Sequence, residues 1–136
     1  MINFNYETAF RLKEEDRISA WISGVIDSEG FKEDEVNYIF CDDEYLHKIN
    51  VEFLNHDTLT DIISFDYTVG KIIQGDVFIS IERVVENAND FEVPFDEELR
   101  RVMVHGVLHY CGYKDKSDED ASLMRDKENH YLNAFV

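Results

Sequence analysis

Hydrophobic residues recur with two different periods along the chain, and the period changes mark successive elements. Apolar and polar residues alternate over residues 2–6, which predicts a β-strand. Apolar residues then recur at helical spacing over residues 10–29, and Gly30 follows as a helix stop. The same criteria predict strands over 36–42, 60–67 and 74–81, and helices over 42–55, 82–90, 96–112 and 118–133.

The predicted order of elements is β-α-β-α-β-β-α-α-α, which indicates an α+β fold. Strands on either side of the first two helices can pair in parallel through right-handed crossovers. The short turn around Gly70, where a positive φ angle is expected, must instead add an antiparallel strand. We therefore expect one mixed four-stranded sheet with helices packed on it. The 136 residues contain no repeat or flexible linker, which predicts a single domain over residues 1–136.

The composition indicates a folded protein of the cytoplasm. Hydrophobic residues make up 44% of the chain and aromatic residues 13%, enough to form a core. The N-terminus has no signal-peptide pattern, and no run of 18 apolar residues occurs, so no membrane association is expected. Cys41 and Cys111 both lie in apolar runs, and we expect them to be buried, reduced thiols.

The net charge of −17 argues against nucleic-acid binding, but the charge is unevenly distributed. Residues 1–99 contain 24 acidic and 7 basic side chains, whereas residues 100–136 contain 6 of each. Ordinary solvated helix faces would explain the second group as well as RNA contacts would. The basic residues of this segment are Arg100, Arg101, Lys114, Lys116, Arg125 and Lys127.

The stretch HGVLHYCGYKD, from His105 to Asp115, has the spacing of a metal site. Residues four apart on an α-helix share one face, so His105 and His109 can face the same ion. Gly112 can end the helix in a left-handed turn and bring Asp115 back to a third position. Two histidines and a carboxylate leave one position open for water, as in catalytic zinc sites. Two core histidines without a shared partner would be costly to bury, which disfavours a purely structural explanation.

Gly106 occupies the position that holds the general base in HExxH metalloproteases. Peptide hydrolysis by that route is therefore disfavoured. Because glycine in a helix interior costs about 0.5–1 kcal/mol relative to alanine, a close approach by the sheet or by a substrate is expected at this position.

The motif resembles the HGxLHxxGYDH signature of the YbeY family of bacterial endoribonucleases. INVEFLNHDTLTDIISFDY (49–67) and GDVFIS (75–80) are similar to two further stretches of that family, and the resemblance covers about residues 36–132. It implies a mixed sheet with a metal-bearing helix, one zinc ion held by three histidines, and cleavage of single-stranded RNA. It also implies action in 16S ribosomal RNA 3′-end maturation and ribosome quality control, with the small ribosomal subunit as a partner and no DNA substrate.

The resemblance carries over residue by residue, with two departures. His105 and His109 match the first two zinc ligands, whereas Asp115 stands in place of the third histidine and Lys114 in place of the aspartate before it. Leu54 stands where the family has an arginine thought to contact RNA or stabilise charge. An Asp ligand still suits zinc but can shift the metal preference. The candidates to replace the missing arginine in RNA binding are Arg100, Arg101, Lys114 and Lys116.

Two further carboxylates, Asp61 and Asp76, are candidates for catalytic proton transfer or for supporting the metal ligands, alongside His105 and His109. A turn or strand-end carboxylate is an equally good explanation for each. His56 is a candidate substitute ligand or RNA contact. A ribosome-assembly factor that binds without cutting, and holds a structural metal, remains an alternative function, and a metalloprotease is a weaker one.

Overall fold

The computed structural model describes residues 1–54 and 60–135. Its strands are β1 (Ile2–Tyr6), β2 (Lys32–Cys41), β3 (Ile62–Asp66) and β4 (Ile72–Ser80). Its helices are α1 (Glu15–Ser28), α2 (Asp43–Leu54), α3 (Ile81–Asp90), α4 (Phe95–Tyr110) and α5 (Asp118–Ala134). The predicted order of elements is confirmed within these residues, and His56 lies outside them.

The four strands form one mixed sheet in the order β1-β2-β4-β3. β1 pairs with β2 and β2 with β4 in parallel, and β3 is antiparallel to β4. The mixed sheet is therefore confirmed, but the expected parallel pairing across α2 is wrong because β2 pairs with β4 rather than with β3. Alternate residues of β4 are buried along its length, whereas β3 is more exposed and lies at the edge. Placing the longer strand, which has more hydrophobic residues, in the centre buries more hydrophobic surface.

The main core lies between one face of the sheet and the helices α1 and α4. Val36, Tyr38 and Phe40 of β2 pack there with Val77 and Ile79 of β4. The sheet and α4 are also joined by a buried hydrogen bond, in which the Tyr38 hydroxyl donates to the Met103 carbonyl at 2.8 Å. The other face carries a smaller cluster that includes Cys41, Leu46 and Ile63, where Leu46 belongs to α2. The metal-motif helix is thus held rigidly against the sheet.

Two element boundaries differ from the predicted ones because of local backbone geometry. α1 begins at Glu15 rather than at residue 10, since Glu14 adopts a left-handed conformation with φ 58° that starts the helix late. β2 begins at Lys32 rather than at residue 36, and a register shift between Glu33 and Val36 interrupts its pairing with β4. Apolar periodicity alone does not indicate either irregularity.

Gly106 sits where α4 packs closely against side chains of the sheet. A Cβ at this position would lie 3.2 Å from Ile62 Cδ1 and 3.2 Å from Val77 Cγ1. This contact confirms that a close approach by the sheet is the reason for the glycine.

Both cysteines are free thiols, as expected; Cys41 is buried as expected, whereas Cys111 is only partly buried. No helix in residues 1–54 and 60–135 has the length and apolar character needed to cross a bilayer.

Candidate metal centre

His105 and His109 lie one turn apart on α4, and the chain after the helix brings a carboxylate back to them. Gly112 adopts a φ of 100°, the left-handed turn expected from the sequence. Asp115 then lies with its Oδ2 atom 3.2 Å from His105 Nε2 and 3.3 Å from His109 Nε2. The two Nε2 atoms are 3.0 Å apart. The predicted set of three ligand atoms is thus assembled at one point.

The spacing of these three atoms matches a tetrahedral metal site. Bonds of about 2.0–2.1 Å from zinc to nitrogen or oxygen place tetrahedral ligand atoms roughly 3.3 Å apart. The observed separations of 3.0–3.3 Å are close to that value. Of the described residues, these three form the only such group of His, Cys, Asp or Glu. Two neutral nitrogens and one carboxylate oxygen form a donor set that suits zinc and leaves one position open.

Glu128, on α5, contacts His105 at the ring nitrogen that does not face the other two candidate ligands. Its Oε2 atom lies 2.7 Å from His105 Nδ1, so a proton held on Nδ1 leaves Nε2 free to face the ion. Its Oε1 atom accepts a hydrogen bond of 3.0 Å from Arg101 Nη1. Glu128 is only 5% exposed, and this pairing on both oxygens explains why a carboxylate is stable there.

The charges around His105 shift the pKa values of the pair. Burial alone would lower the pKa of His105, but the Glu128 contact, together with Asp115 and Asp61, raises it above its ordinary value. Burial would raise the pKa of Glu128, but its hydrogen bonds from His105 and Arg101 lower it instead. Glu128 is therefore an ionised acceptor that orients the imidazole.

The centre opens into a cleft of about 400 Å³. Asp61, before β3, lines it, and Asn87 donates a hydrogen bond of 3.4 Å to the Asp61 carboxylate. Burial raises the pKa of Asp61, partly offset by backbone N–H groups and by His105. Glu98 of α4 also lines the cleft, and Arg101 and Arg125 contribute positive charge. The cleft therefore presents both carboxylates and guanidinium groups beside the metal centre.

Asp76 is not brought to this cleft. It pairs in register with Asn37 on β2, whose Nδ2 donates to Asp76 Oδ1 at 3.0 Å. The next residue along β4, Val77, points into the main core against α4. Because side chains alternate between faces of a strand, Asp76 points to the other face of the sheet, away from His105. The expectation that Asp76 takes part in catalysis is therefore corrected: its side chain lies beside Asn37, on the face of the sheet opposite α4.

The four basic residues proposed for RNA binding lie in different places. Arg101 lines the metal cleft, whereas Arg100 lines a separate cavity and stacks its guanidinium 4.5 Å from the centre of the Phe135 ring. Lys114 lines a third cavity beside Tyr113, and Lys116 is exposed on the loop before α5. Only Arg101 is thus placed beside the metal centre. Leu54 is 40% exposed at the end of α2.

Three residues of the site were not predicted as such: Glu98, Glu128 and Arg125. For Glu128 a sequence signal existed, because Met124, Glu128 and Tyr131 form the buried stripe of α5 at helical spacing. Glu98 similarly lies within the buried stripe of α4. A glutamate at a core-facing position requires a partner or a function. For Arg125, only proximity in the folded chain reveals its place.

These features define a small α+β protein with a three-residue metal-type centre at the side of an open cleft. The model of the family described as "Endoribonuclease YbeY" matches residues 2–136. Two relatives with that name are 68% identical (Flavobacterium johnsoniae) and 64% identical (Flavobacterium psychrophilum). Each alignment covers 99% of this chain, and 97% and 96% of the respective relative. The chain belongs to the endoribonuclease YbeY family.

A solved structure shares the fold. The solution structure of TM1509 from Thermotoga maritima superimposes with a TM-score of 0.71 at 25% sequence identity. The match covers 98% of this chain and 87% of that protein.

Proposed function

We propose that this protein is a zinc-dependent endoribonuclease that cuts single-stranded RNA, acting as a single domain over residues 1–136. The observation that carries the proposal is the set of three ligand atoms, 3.0–3.3 Å apart, at the side of an open cleft. Membership of a family named for endoribonuclease activity supports the reaction class. We further propose the 3′ end of 16S ribosomal RNA on the small ribosomal subunit as the substrate, and the cytoplasm as the location.

In phosphodiester hydrolysis, different residues of the cleft would have different functions. His105, His109 and Asp115 would hold the ion, and Glu128 orients His105 through its Nδ1 proton. When bound, zinc supplies Lewis-acid chemistry, which polarises a phosphoryl oxygen and activates water at neutral pH. Arg101 and Arg125 attract the RNA phosphates. Asp61 lies in the same cleft and can accept or return a proton through its carboxylate.

RNA cleavage with matched variants tests the proposal. The substrate is end-labelled ribosomal RNA with a single-stranded 3′ extension, incubated with wild type, His105→Ala, His130→Ala and a chelated sample. We expect cleavage by wild type and His130→Ala, because His130 is exposed on α5 and distant in sequence from the ligands. His105→Ala and the chelated sample should be inactive. Equal cleavage by wild type and His105→Ala contradicts the proposal, because the activity would then not depend on the metal ligands.

Asp115 stands in place of the third histidine of the family signature, and a variant at this position tests the identity of the metal. Because a carboxylate oxygen is a harder donor than an imidazole nitrogen, Asp115→His should favour zinc over Mn²⁺ more strongly than wild type does. Competition between the two metals, followed by elemental analysis of the dialysed proteins, measures this preference. Equal preferences would show that the third ligand position does not govern metal choice.

A ribosome-assembly factor with a structural metal is the second candidate. Two observations favour it: Leu54 replaces the family arginine, and the net charge is −17. Removal of a structural metal unfolds a domain, whereas a catalytic metal leaves most of the fold in place. Circular dichroism before and after chelation distinguishes these outcomes. A metalloprotease is supported by no further observation, and a peptide-library assay would detect one.

A further inference from the structure

The cleft beside the metal centre contains a buried carboxylate that the proposed chemistry does not use. Glu98 lies on α4 two turns before His105 and is only 5% exposed. Within the described part of the chain, no hydrogen bond or ion pair reaches its carboxylate, whose oxygens are not among the fully buried polar atoms and therefore face the cleft that Glu98 lines. Buried carboxylates are rare without a partner, because desolvation of the charge is costly. The carboxylate is therefore available to a molecule bound in the cleft.

The charges that face Glu98 restrict the chemistry of that molecule. Asp61 and Glu128 repel negative charge at this point, while Arg101 and Arg125 partly offset them. A phosphate group would meet three carboxylates there. A second metal ion is also disfavoured, since among the residues described the metal-type group contains only His105, His109 and Asp115. An uncharged hydrogen-bond donor is the group that fits.

The ribose 2′-hydroxyl is the uncharged donor that every nucleotide of an RNA carries, whatever its base. It both donates and accepts hydrogen bonds, so it suits a carboxyl group in either protonation state. Glu98 lies about 10 Å from His105 along the helix axis, at a rise of about 1.5 Å per residue. The hydroxyl would thus belong to a neighbouring nucleotide rather than to the one being cut.

We propose that Glu98, with Asp61 lining the same cleft, binds the 2′-hydroxyl of a nucleotide beside the cut site and makes the enzyme selective for RNA over DNA. This inference rests on the proposed function, because it requires RNA in the cleft. Burial and the neighbouring Asp61 and Glu128 raise the pKa of Glu98, which is the expected behaviour of a carboxyl group that lacks its partner.

Oligonucleotides with single 2′-deoxy substitutions test the proposal. Fluorescence anisotropy measures the binding of metal-loaded protein to one RNA sequence and to a series in which each position in turn is 2′-deoxy. A gel confirms that each oligonucleotide is intact after the measurement. In wild type, we expect one position at which the deoxy substitution weakens binding about tenfold, the effect of losing a hydrogen bond to a charged group. In Glu98→Ala, that penalty should fall to about twofold or less.

Two further variants separate recognition from folding and from general electrostatics. Glu98→Gln keeps the shape and a hydrogen-bonding group, so it should retain part of the penalty. Arg125→Ala should weaken binding to every oligonucleotide by the same factor and leave the penalty unchanged. Thermal unfolding of each variant establishes that it is folded at the temperature of the assay.

Each result has a defined meaning. A positional penalty that persists in Glu98→Ala, or the absence of any penalty in wild type, overturns the inference. A penalty that follows the base rather than the sugar assigns Glu98 to base recognition and also overturns it. If wild type neither binds nor cuts any RNA, the proposed function itself fails. Cleavage of RNA with no effect of Glu98 variants on the deoxy series rejects the inference alone.

Discussion

At the scale of single residues, His105 has a different partner on each ring nitrogen. Nε2 faces Asp115 and His109, and Nδ1 faces Glu128 at 2.7 Å. This division sets which nitrogen carries the proton and which is available to a metal. Arg101 completes the arrangement by holding the second oxygen of Glu128. The geometry of the three candidate ligands therefore depends on two residues outside that set.

Replacing the supporting carboxylate should weaken the metal site. Glu128→Gln removes the negative charge that orients His105, and we expect zinc affinity to fall about 10–100-fold. Competition with a chromophoric chelator measures this affinity. Glu119→Gln, an exposed position in the first turn of the same helix, is the matched control and should bind zinc as wild type does. Equal affinities for the two variants would contradict a supporting function for Glu128.

At the scale of elements, α4 carries both hydrophobic residues of the core and two of the three candidate metal ligands. Its cleft-facing positions, Glu98, Arg101, Val102 and His105, follow helical spacing, while its hydrophobic positions pack into the core. The helix is fixed to the sheet by Tyr110, whose hydroxyl lies 3.0 Å from the Phe65 carbonyl and 3.1 Å from the Asp76 carbonyl. Because α4 is packed rigidly on the sheet, its position determines the positions of His105 and His109.

Gly75 in β4 makes that docking possible and should be sensitive to substitution. A Cβ at Gly75 would lie 2.5 Å from the Phe65 carbonyl oxygen and 2.5 Å from the Tyr110 hydroxyl. Gly75→Ala should therefore lower the free energy of unfolding by about 1–3 kcal/mol, the usual cost of overpacking.

Gly24 provides the matched control for this substitution. It is exposed in α1, and a Cβ there would have no atom within 4 Å. Gly24→Ala should raise the free energy of unfolding by about 0.5–1 kcal/mol, since alanine favours the helix. Urea denaturation measures both variants. Destabilisation of the same size by both would show that the contact at Gly75 is not the cause.

At the scale of the whole molecule, the charge is separated into an acidic part and a balanced part. The first 99 residues contain all of the excess acid, and the metal motif lies in the balanced segment that follows. The overall charge opposes the approach of RNA, so binding depends on the local field of a few cations in the cleft.

The salt dependence of RNA binding should accordingly be shallow. With Arg101 and Arg125 as the two phosphate contacts, the slope of log affinity against log salt for single-stranded RNA should be about −1.4, at about −0.7 per contact. Anisotropy titrations at several salt concentrations measure it. A slope several times steeper would place a larger basic surface in contact with RNA.

The buried carboxyl group of Glu98 should make stability depend on pH. Its pKa is raised in the folded state above the ordinary value of 4.5, so the folded protein binds a proton more tightly than the unfolded chain does. Stability is therefore lost as the pH rises from about 4.5 through the folded-state pKa. Glu98→Gln should gain stability relative to wild type over this window and level off above it. A difference between the two proteins that stays constant with pH would refute this assignment.

The sequence by itself determined those features of the structure that depend only on the spacing of residues close together in the chain. The strand and helix periods, the left-handed turn at Gly112 and the i, i+4 pair of histidines all arise within a few residues, because backbone geometry repeats every two or 3.6 residues. The candidate ligands His105, His109 and Asp115 lie within one short segment, so their convergence was predictable. The family resemblance rests on the same local motifs.

Only the tertiary structure decided the strand order, the face to which Asp76 points and the convergence of Asp61, Glu98 and Glu128 on one cleft. These features join residues far apart in the chain. Their arrangement follows from which strand buries the most apolar surface and how α5 packs against α4, and the periodicity of any one segment does not contain that information. The candidate metal ligands are thus set by local sequence, whereas the cleft beside them is formed only by the tertiary fold.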